Sequence, residues 1–468
     1  MAPPDKRIGW LVATLIEGSG GHRTIFQNMQ ALMDAGHKCH IFLETPDPAD
    51  RKRPGFLKEN EEKLASYFGV RGPKLHAGFK VKEDLDLVFA TVWYSAKPVA
   101  EMSENVVKAY FVQDFEPLFN PVGDGYLQAE NSYRLDLNVI TIGRWLAEKL
   151  SRDFKCPSSY FDFCADLNVY RPVTGVEKEK SVCFIFQPEK PRRCAHMGLK
   201  ALGILKNRIP DVQIYLFGSN QILDPGFEHQ HLGIVSVEEC NRLYNRCSVG
   251  LCISSTNPSR IPFEMMAAGL PVVDVHGENN LYDLPEGGVL LAEPNPEALA
   301  HALEKLVLNP SERRSMGDFG QRYMKDRDLR NGYQQFLDAV DALLSGNSFP
   351  SKNMNKMYNR APLGPPEEVE MIPSGTDDTH HQLEAIAELN RIENSRSWRL
   401  WLRLKRNPLY RVLARCRFGP NWREDGKMKD PRMRLKYIRQ SRGYRLILFA
   451  KRTPLYSLYL RTRRGKED

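Results

Sequence analysis

Residues 254–275 read SSTNPSRIPFEMMAAGLPVVDV, and this stretch decides the fold. An apolar run with two β-branched residues, Val249 to Ile253, leads into it. Glu264 to Ala268 has helical character, and Gly269, Pro271 and the β run Val272 to Val275 follow. The order is strand, loop, helix, strand. In an open parallel sheet, ligands collect beyond the carboxyl ends of the strands, where a loop and a helix N-terminus present unpaired N–H groups. Glu264 stands at that helix start. A carboxylate there suits the helix dipole and can accept two hydroxyls of a ribose or a sugar. It suits helix capping equally well, and the stretch alone leaves both readings open.

The same alternation extends outward on both sides. Ser181 to Phe186 reads as a strand, QPEKPRR (Gln187 to Arg193) as a basic loop and Ala195 to Leu205 as a helix. Arg192 and Arg193, with Lys190, then stand beyond a strand and before a helix, where guanidinium forks can neutralise a diphosphate; a surface basic loop is the alternative. Gln213 to Phe217 is a strand ending in Gly218-Ser219-Asn220, and His231 to Val235, containing Gly233, precedes the helix Val237 to Cys247. Downstream come the helix Pro296 to Leu308 and long helices over Gln321 to Leu344. Residues 173–345 are expected to form one doubly wound unit.

The first half repeats the pattern. Ile8 to Ile16 reads as a strand, although Lys6-Arg7 before this apolar run mimics a secretory signal. It runs into Glu17-Gly18-Ser19-Gly20-Gly21-His22 and a helix over Ile25 to Ala35. Glycines there permit close approach of backbone to a phosphate, or simply make a tight turn. Cys39 to Leu43, Leu85 to Trp93, Val106 to Val112 and Leu137 to Ile142 are further strands, and residues 44–80 read as loops plus a helix Glu59 to Tyr67. Val106 to Val112 delivers Gln113-Asp114-Phe115-Glu116-Pro117 into a loop, where Asp114 or Glu116 can serve as a general base for an acceptor hydroxyl or hold a sugar hydroxyl. A solvated acidic loop is the alternative. Arg171-Pro172 closes this unit, expected at residues 1–172.

Composition sets further bounds. A chain of 468 residues holds two or three domains, and 42% hydrophobic with 26% charged residues is ordinary for a globular protein. The net charge of +8 is lopsided: residues 391–468 carry 24 Lys and Arg against 6 Asp and Glu. Nine cysteines without a Cys-x-x-Cys pair favour thiols in a reducing compartment. Cys39-His40, and His229 with His231, make poor metal sites, and no metal is expected.

Residues 346–380 are rich in Pro, Gly, Asn and Ser and read as a flexible linker. Residues 381–468 form a basic aromatic tail with a repeat at an offset of 46: SRSWRL (395–400) returns as SRGYRL (441–446), and KRNPLY (405–410) as KRTPLY (451–456). Basic and aromatic residues on short helices suit an anionic membrane surface. A nucleic-acid arm, the less favoured partner, and a helical hairpin docked on the protein itself are the alternatives.

The 254–275 stretch resembles the donor-binding segment of retaining GT-B glycosyltransferases of family 4, whose pattern is Glu, seven residues, Glu, then Ala-x-x-x-Gly-x-Pro-Val. Glu264, Ala267, Ala268, Gly269, Pro271, Val272 and Val273 match, whereas Thr256 stands in the place of the first Glu. SGGHRTI (19–25), FVQDFEP (111–117) and PFEMMAAG (262–269) further resemble the rhamnosyltransferase branch of that family, over residues 8–345. The resemblance implies an α/β GT-B fold of two Rossmann-like domains facing across a cleft. It implies transfer of L-rhamnose from dTDP-L-rhamnose, with retention and without a metal or other cofactor, to a growing, lipid-linked cell-surface glycan such as an O-antigen or other polysaccharide. Glu264 would hold the nucleotide ribose, Gly20, Gly21, Arg192 and Arg193 the diphosphate, and Gly218 and Gly233 would lie at the base pocket. Asp114 or Glu116 would orient the acceptor, and His22 would touch the donor or leaving group. The expected location is cytoplasmic, peripheral on the inner face of the membrane. A UDP- or GDP-hexose donor, or a non-catalytic glycan-binding scaffold of the same fold, are the rival readings.

Overall fold

The structure is a computed structural model that describes residues 5–47, 50, 51, 53–366, 374–395, 397–399, 401, 402, 431–441 and 444. Two all-parallel sheets organise the chain. The first has seven strands in the order β3-β2-β1-β4-β5-β6-β7: β1 (Arg7–Val12), β2 (Lys38–Leu43), β3 (Lys74–Ala77), β4 (Leu87–Ala90), β5 (Val107–Val112), β6 (Asn138–Ile142) and β7 (Ser158–Phe161). The second has six, in the order β10-β9-β8-β11-β12-β13: β8 (Ser181–Ile185), β9 (Gln213–Phe217), β10 (Gln230–Gly233), β11 (Val249–Leu251), β12 (Val272–Val275) and β13 (Val289–Ala292).

Helices cover both faces of each sheet, so the central strands are runs of buried side chains: every residue of β4 and β8 is buried. In the first half the helices are α1 (Gly20–Asp34), α2 (Phe56–Phe68), α3 (Trp93–Ala100), α4 (Asp124–Asn131) and α5 (Arg144–Phe154). In the second they are α6 (Ala195–Arg208), α7 (Val237–Arg246), α8 (Ile261–Ala267), α9 (Glu278–Asp283), α10 (Pro296–Leu308), α11 (Pro310–Met324) and α12 (Leu329–Leu344). The described cysteines are all free thiols, six of them buried as small core residues.

Several elements depart from the sequence reading. Strand β3 lies in a stretch read as loop; it is an edge strand of four residues with only Leu75 buried, so it carries little apolar signal. Trp93, read as the end of a strand, begins α3, because the Ser95 hydroxyl accepts the N–H groups of Thr91 and Val92 and turns the chain. Helix α12, read as part of the second unit, packs on the first sheet. Its Phe336 is fully buried among Trp10, Phe89, Phe111 and Phe161, a cluster that only a large apolar side chain returning from outside can fill.

The expected flexible linker is held down over its described part. Tyr160 and Asn353 share a hydrogen bond of 2.7 Å, Lys352 donates to the Tyr160 carbonyl, and buried Tyr358 accepts from the backbone of Leu291. Residues 346–366 therefore strap the first sheet to the second. Beyond them, α13 (Ser374–Glu393) docks on α6 and pairs with α14 (Pro431–Gln440). The KRNPLY and KRTPLY copies lie outside the described residues, and so does most of the basic tail read as a membrane anchor. Among the described residues no helix is long and apolar enough to cross a membrane.

Candidate functional site

Each sheet has one point where strand order reverses. Strand β1 lies between β2 and β4, and β8 lies between β9 and β11. Loops leaving adjacent strands diverge there and open a crevice at the carboxyl ends. The Gly-rich loop leaves β1, the Arg192 loop leaves β8, and the 252–260 loop leaves β11. Topology alone thus brings three of the sequence motifs to the crevices.

The motifs meet at Asp114, carried just beyond β5. Its carboxylate accepts from the Thr256 hydroxyl (2.9 Å), the Asn257 N–H (3.0 Å) and its neighbour Phe115 N–H (2.9 Å), with Arg192 Nε at 4.0 Å. Asn257 also donates from its amide to the carbonyls of Gln113 (2.9 Å) and Ile142 (3.2 Å). The Gln113 side chain lies against Gly21, where an added Cβ would stand 3.7 Å from its amide nitrogen. The N-terminus of α1, the end of β5, the Arg192 loop and residues 256–257 therefore form one junction between the two halves. Burial raises the Asp114 pKa, against the opposing Asn257 N–H and Arg192 charge.

The N-terminus of α1 is suited to an anion. Ser19 caps the His22 N–H, the first turn holds no acidic side chain, and the earliest N–H groups of a helix have no partner within it. Gly20 and Gly21 sit inside this turn with helical backbone; the positive φ belongs to Gly18, at +72°.

The adjacent arginines take different roles. The Arg192 guanidinium lies 4.8 Å over the Phe119 ring, near Asp114; burial lowers its pKa and the Asp114 charge opposes that. Arg193 turns inward and donates to the Ser254 hydroxyl (3.0 Å). Its charge also acts on Asp274, which burial pushes up to about 8 and which accepts the N–H groups of Ser254 and Val275. Arg193 thus braces the loop from beneath and Arg192 stands at the junction; burial also lowers the pKa of Lys190, earlier in the same loop.

Glu264 occupies the first turn of α8, a helix that begins with Pro262 in its opening turn. The Tyr170 hydroxyl and the charges of Arg260 and, from α1, Arg23 act on its carboxylate. Burial pushes Glu264 up to about 7 despite these partners. Arg260 in turn donates to Gln27 of α1 (2.8 Å), tying α8 to the first half.

Three other expectations sort differently. The Glu116 carboxylate accepts the Trp93 N–H (2.7 Å) at the start of α3, and burial pushes it up to about 8. It is a buried helix cap, and Asp114 alone of the pair reaches the junction. His22 is buried near Phe26 and Phe68, with Nε2 3.4 Å from the Ala13 carbonyl and burial lowering its pKa; it supports the Gly-rich loop from behind. Gly218 and Gly233 do come together, since the Gly218 N–H donates to the Gly233 carbonyl (2.7 Å), and both have positive φ. With Gln187 and Asn220 they close the ends of β8, β9 and β10.

Some residues escaped the sequence reading. Asn257 follows Thr256 in an Asn-Pro pair that signals only a turn. The Asp283 carboxylate accepts the N–H groups of Arg144 (2.7 Å) and Trp145 (3.1 Å), capping α5 across the interface. Tyr170 lay in the crossover segment with nothing local to mark it.

Two Rossmann-like parallel-sheet units meeting at such a junction constitute a GT-B fold. A family model described as "WsaF, C-terminal domain" matches residues 180–304. The chain is 30% identical over 280 residues to the O-antigen biosynthesis protein RfbC of Myxococcus xanthus, covering 58% of this chain and 22% of that protein. It is 23% identical over 240 residues to spore coat protein SA of Bacillus subtilis (strain 168), covering 42% and 63%. The chain thus spans about a fifth of the first relative and under two thirds of the second. Among solved structures, sucrose-phosphate synthase from Thermosynechococcus elongatus superposes with a TM-score of 0.54 at 16% identity, over 73% of this chain and 100% of that one. HepE of Anabaena, in complex with UDP and glucose, gives 0.53 at 14% identity over 72% and 100%. S. aureus TarM, a mutant in complex with fondaparinux, α-GlcNAc-glycerol and UDP, gives 0.55 at 9% over 72% and 99%.

Proposed function

We propose that this chain is a glycosyltransferase of polysaccharide or O-antigen assembly, moving L-rhamnose from dTDP-L-rhamnose to a growing, lipid-linked glycan with retention. The observation that carries the reading is the junction at Asp114, where a carboxylate, the N-terminus of α1 and the basic loop after β8 converge. As a glycosidic bond breaks, negative charge builds on the departing diphosphate, and preorganised donors are the main catalytic contribution. Arg192, Lys190 and the N–H groups of Gly20 and Gly21 are assigned to that charge, with no metal. Glu264 is assigned to the ribose and the Gly218–Gly233 corner to the base. Asp114, with Glu116 fixed as a cap, is left to orient the acceptor hydroxyl.

Support comes from the WsaF-type match over the second unit and from a relative named for O-antigen biosynthesis. The dTDP-rhamnose donor rests on the sequence motifs, and the same fold in HepE and TarM accompanies UDP. A cytoplasmic protein held at the membrane face by its basic tail completes the proposal.

Thermal unfolding of the full chain with dTDP, UDP, GDP and ADP tests it, because a ligand that binds only the folded state raises the transition by mass action. The largest shift is expected with dTDP, and Glu264→Ala is expected to remove most of it. A larger shift with UDP would reassign the donor. No shift with any nucleotide would overturn the enzyme in favour of a non-catalytic relative.

A further inference from the structure

The loop between β9 and β10 has two sides. One side carries Gly218 and Asn220, which meet Gly233 and the Ile234 N–H at the corner assigned to the base. The other side is held by α13, a helix more than 140 residues further along the chain. Gln382 of α13 is buried, and its amide grips Asp224 from both ends: Oε1 accepts the Asp224 N–H and Nε2 donates to the Asp224 carbonyl, each at 3.0 Å. One helical stretch later, Asn390 accepts from the Gln221 side chain at 3.1 Å. Between them, Ile386 is fully buried in the core of the second unit, with Leu383 beside it.

A glycine-bearing loop of this kind has few apolar anchors; Leu223 is buried in that core and Phe227 packs partly against it. Its position is set by hydrogen bonds, and the bidentate Gln382 contact supplies a paired donor and acceptor much as a neighbouring strand would. Removing Gln382 deletes both hydrogen bonds to the Asp224 backbone and the buried side chain that makes them, which loosens the loop without breaking the sheet.

We propose that α13 is a clamp on the donor-site loop, with Gln382 and Asn390 acting as positioning residues for the nucleotide base. The C-terminal region is on this account part of the donor site's support. The inference rests on the reading of the Gly218–Gly233 corner as the base pocket. It adds a route by which anything that displaces α13 lowers donor affinity.

The test is calorimetric titration of the full-length chain with dTDP and with UDP, followed by steady-state rates with the matching sugar nucleotide. Gln382→Ala is expected to weaken nucleotide binding about tenfold, and Asn390→Leu about threefold. Both are expected to raise donor KM by the same factors while leaving kcat unchanged. Asn390→Asp keeps the acceptor for Gln221 and is expected to bind as wild type does. Unchanged affinity in both Gln382→Ala and Asn390→Leu would overturn the clamp while leaving the donor site intact. A fall in kcat matching a fall in the thermal transition would also overturn it, because that pattern marks general destabilisation. If the wild-type chain binds neither nucleotide, the donor-site reading fails, and the clamp with it.

Discussion

Thr256 and Asp114 belong to opposite halves of the molecule and share a hydrogen bond of 2.9 Å. In the motif that residues 254–275 resemble, position 256 carries a Glu. Here a Glu would set a second carboxylate against Asp114 in a buried site, where two like charges cannot both ionise cheaply. A hydroxyl that donates is the compatible partner. Thr256→Val keeps the shape and removes the donor, and it is expected to lower the thermal transition by about 2–4 °C. Thr256→Ser should restore it. Because the two groups act through one bond, the Asp114→Asn, Thr256→Val double variant is expected to lose less than the sum of the singles. Strict additivity in differential scanning fluorimetry would show the contact to be idle.

Arg192 and Arg193 are neighbours in sequence with separable consequences. Arg192 reaches Phe119 and Asp114 at the junction, so Arg192→Ala is expected to weaken nucleotide diphosphate binding by about tenfold with little change in stability. Arg193 holds Ser254 and offsets the buried Asp274, so Arg193→Ala is expected to cost about 2 kcal/mol of stability before any effect on binding is seen. Parallel melting curves and titrations distinguish the two, and identical behaviour of the variants would contradict the geometry.

The contrast shows which parts of the molecule were readable from sequence. Strands such as Gln213–Phe217 and Leu87–Ala90 announce themselves, because a parallel strand buried on both faces is a near-continuous apolar run. The α/β alternation, and with it the placement of loops at the switch points, follows from those runs. The choice between Arg192 and Arg193, or between Asp114 and Glu116, does not. Which of two close side chains faces the junction is decided by Ser254, Asp274 and Trp93, partners that lie 23 to 81 residues away. Tyr170 and Asp283 were hidden for the same reason: each acquires its role only when the halves meet.

Stability should fall as pH rises from about 7 to about 8.5, above the range in which His22, His37, His40, His76 and His231, whose pKa desolvation lowers, make stability rise with pH. Burial pushes Glu116 and Asp274 up to about 8, and Glu264 and Asp283 up to about 7. Folded, these groups hold their protons into that range; unfolded, they release them at the ordinary carboxylate pKa. Folding therefore takes up protons between those limits, and stability is lost as pH passes through the folded values. Carboxylates shifted the other way do not offset this. The Arg152 hydrogen bond holds Asp153 at about 2, and Arg327 outweighs burial at Asp162 to keep it low; both contributions are complete above about pH 5. Thermal unfolding across this range is expected to give a descending transition that Asp274→Asn flattens near pH 8. A transition that rises with pH would contradict the burial of these carboxylates.

The two helices of the C-terminal pair are related by the 46-residue repeat, and their ion pairs are related by it too. Glu388 pairs with Arg439 (3.1 Å) and Glu393 with Arg434, while the offset carries 388 onto 434 and 393 onto 439. Leu389 and Ile392 likewise map onto Leu435 and Ile438, all four buried in one cluster. The turns that follow are built alike, Ser395 and Ser441 each accepting the N–H three residues on, at 3.2 Å. The copies therefore face one another across an internal two-fold in which the equivalent positions 388/434 and 393/439 carry opposite charge. Copy one against copy one of a second chain would oppose four carboxylates over the same apolar core, so the charge exchange favours pairing within the chain. Each exposed pair is worth under about 1 kcal/mol, so replacing both pairs by like charges should cost about 2 kcal/mol in all. Arg434→Glu with Arg439→Glu is expected to release the helix pair to limited proteolysis several-fold faster than in the wild type. Adding Glu388→Arg and Glu393→Arg rebuilds both pairs with reversed polarity and is expected to restore protection. Equal cleavage rates in all three proteins would show that the apolar seam alone selects the partner.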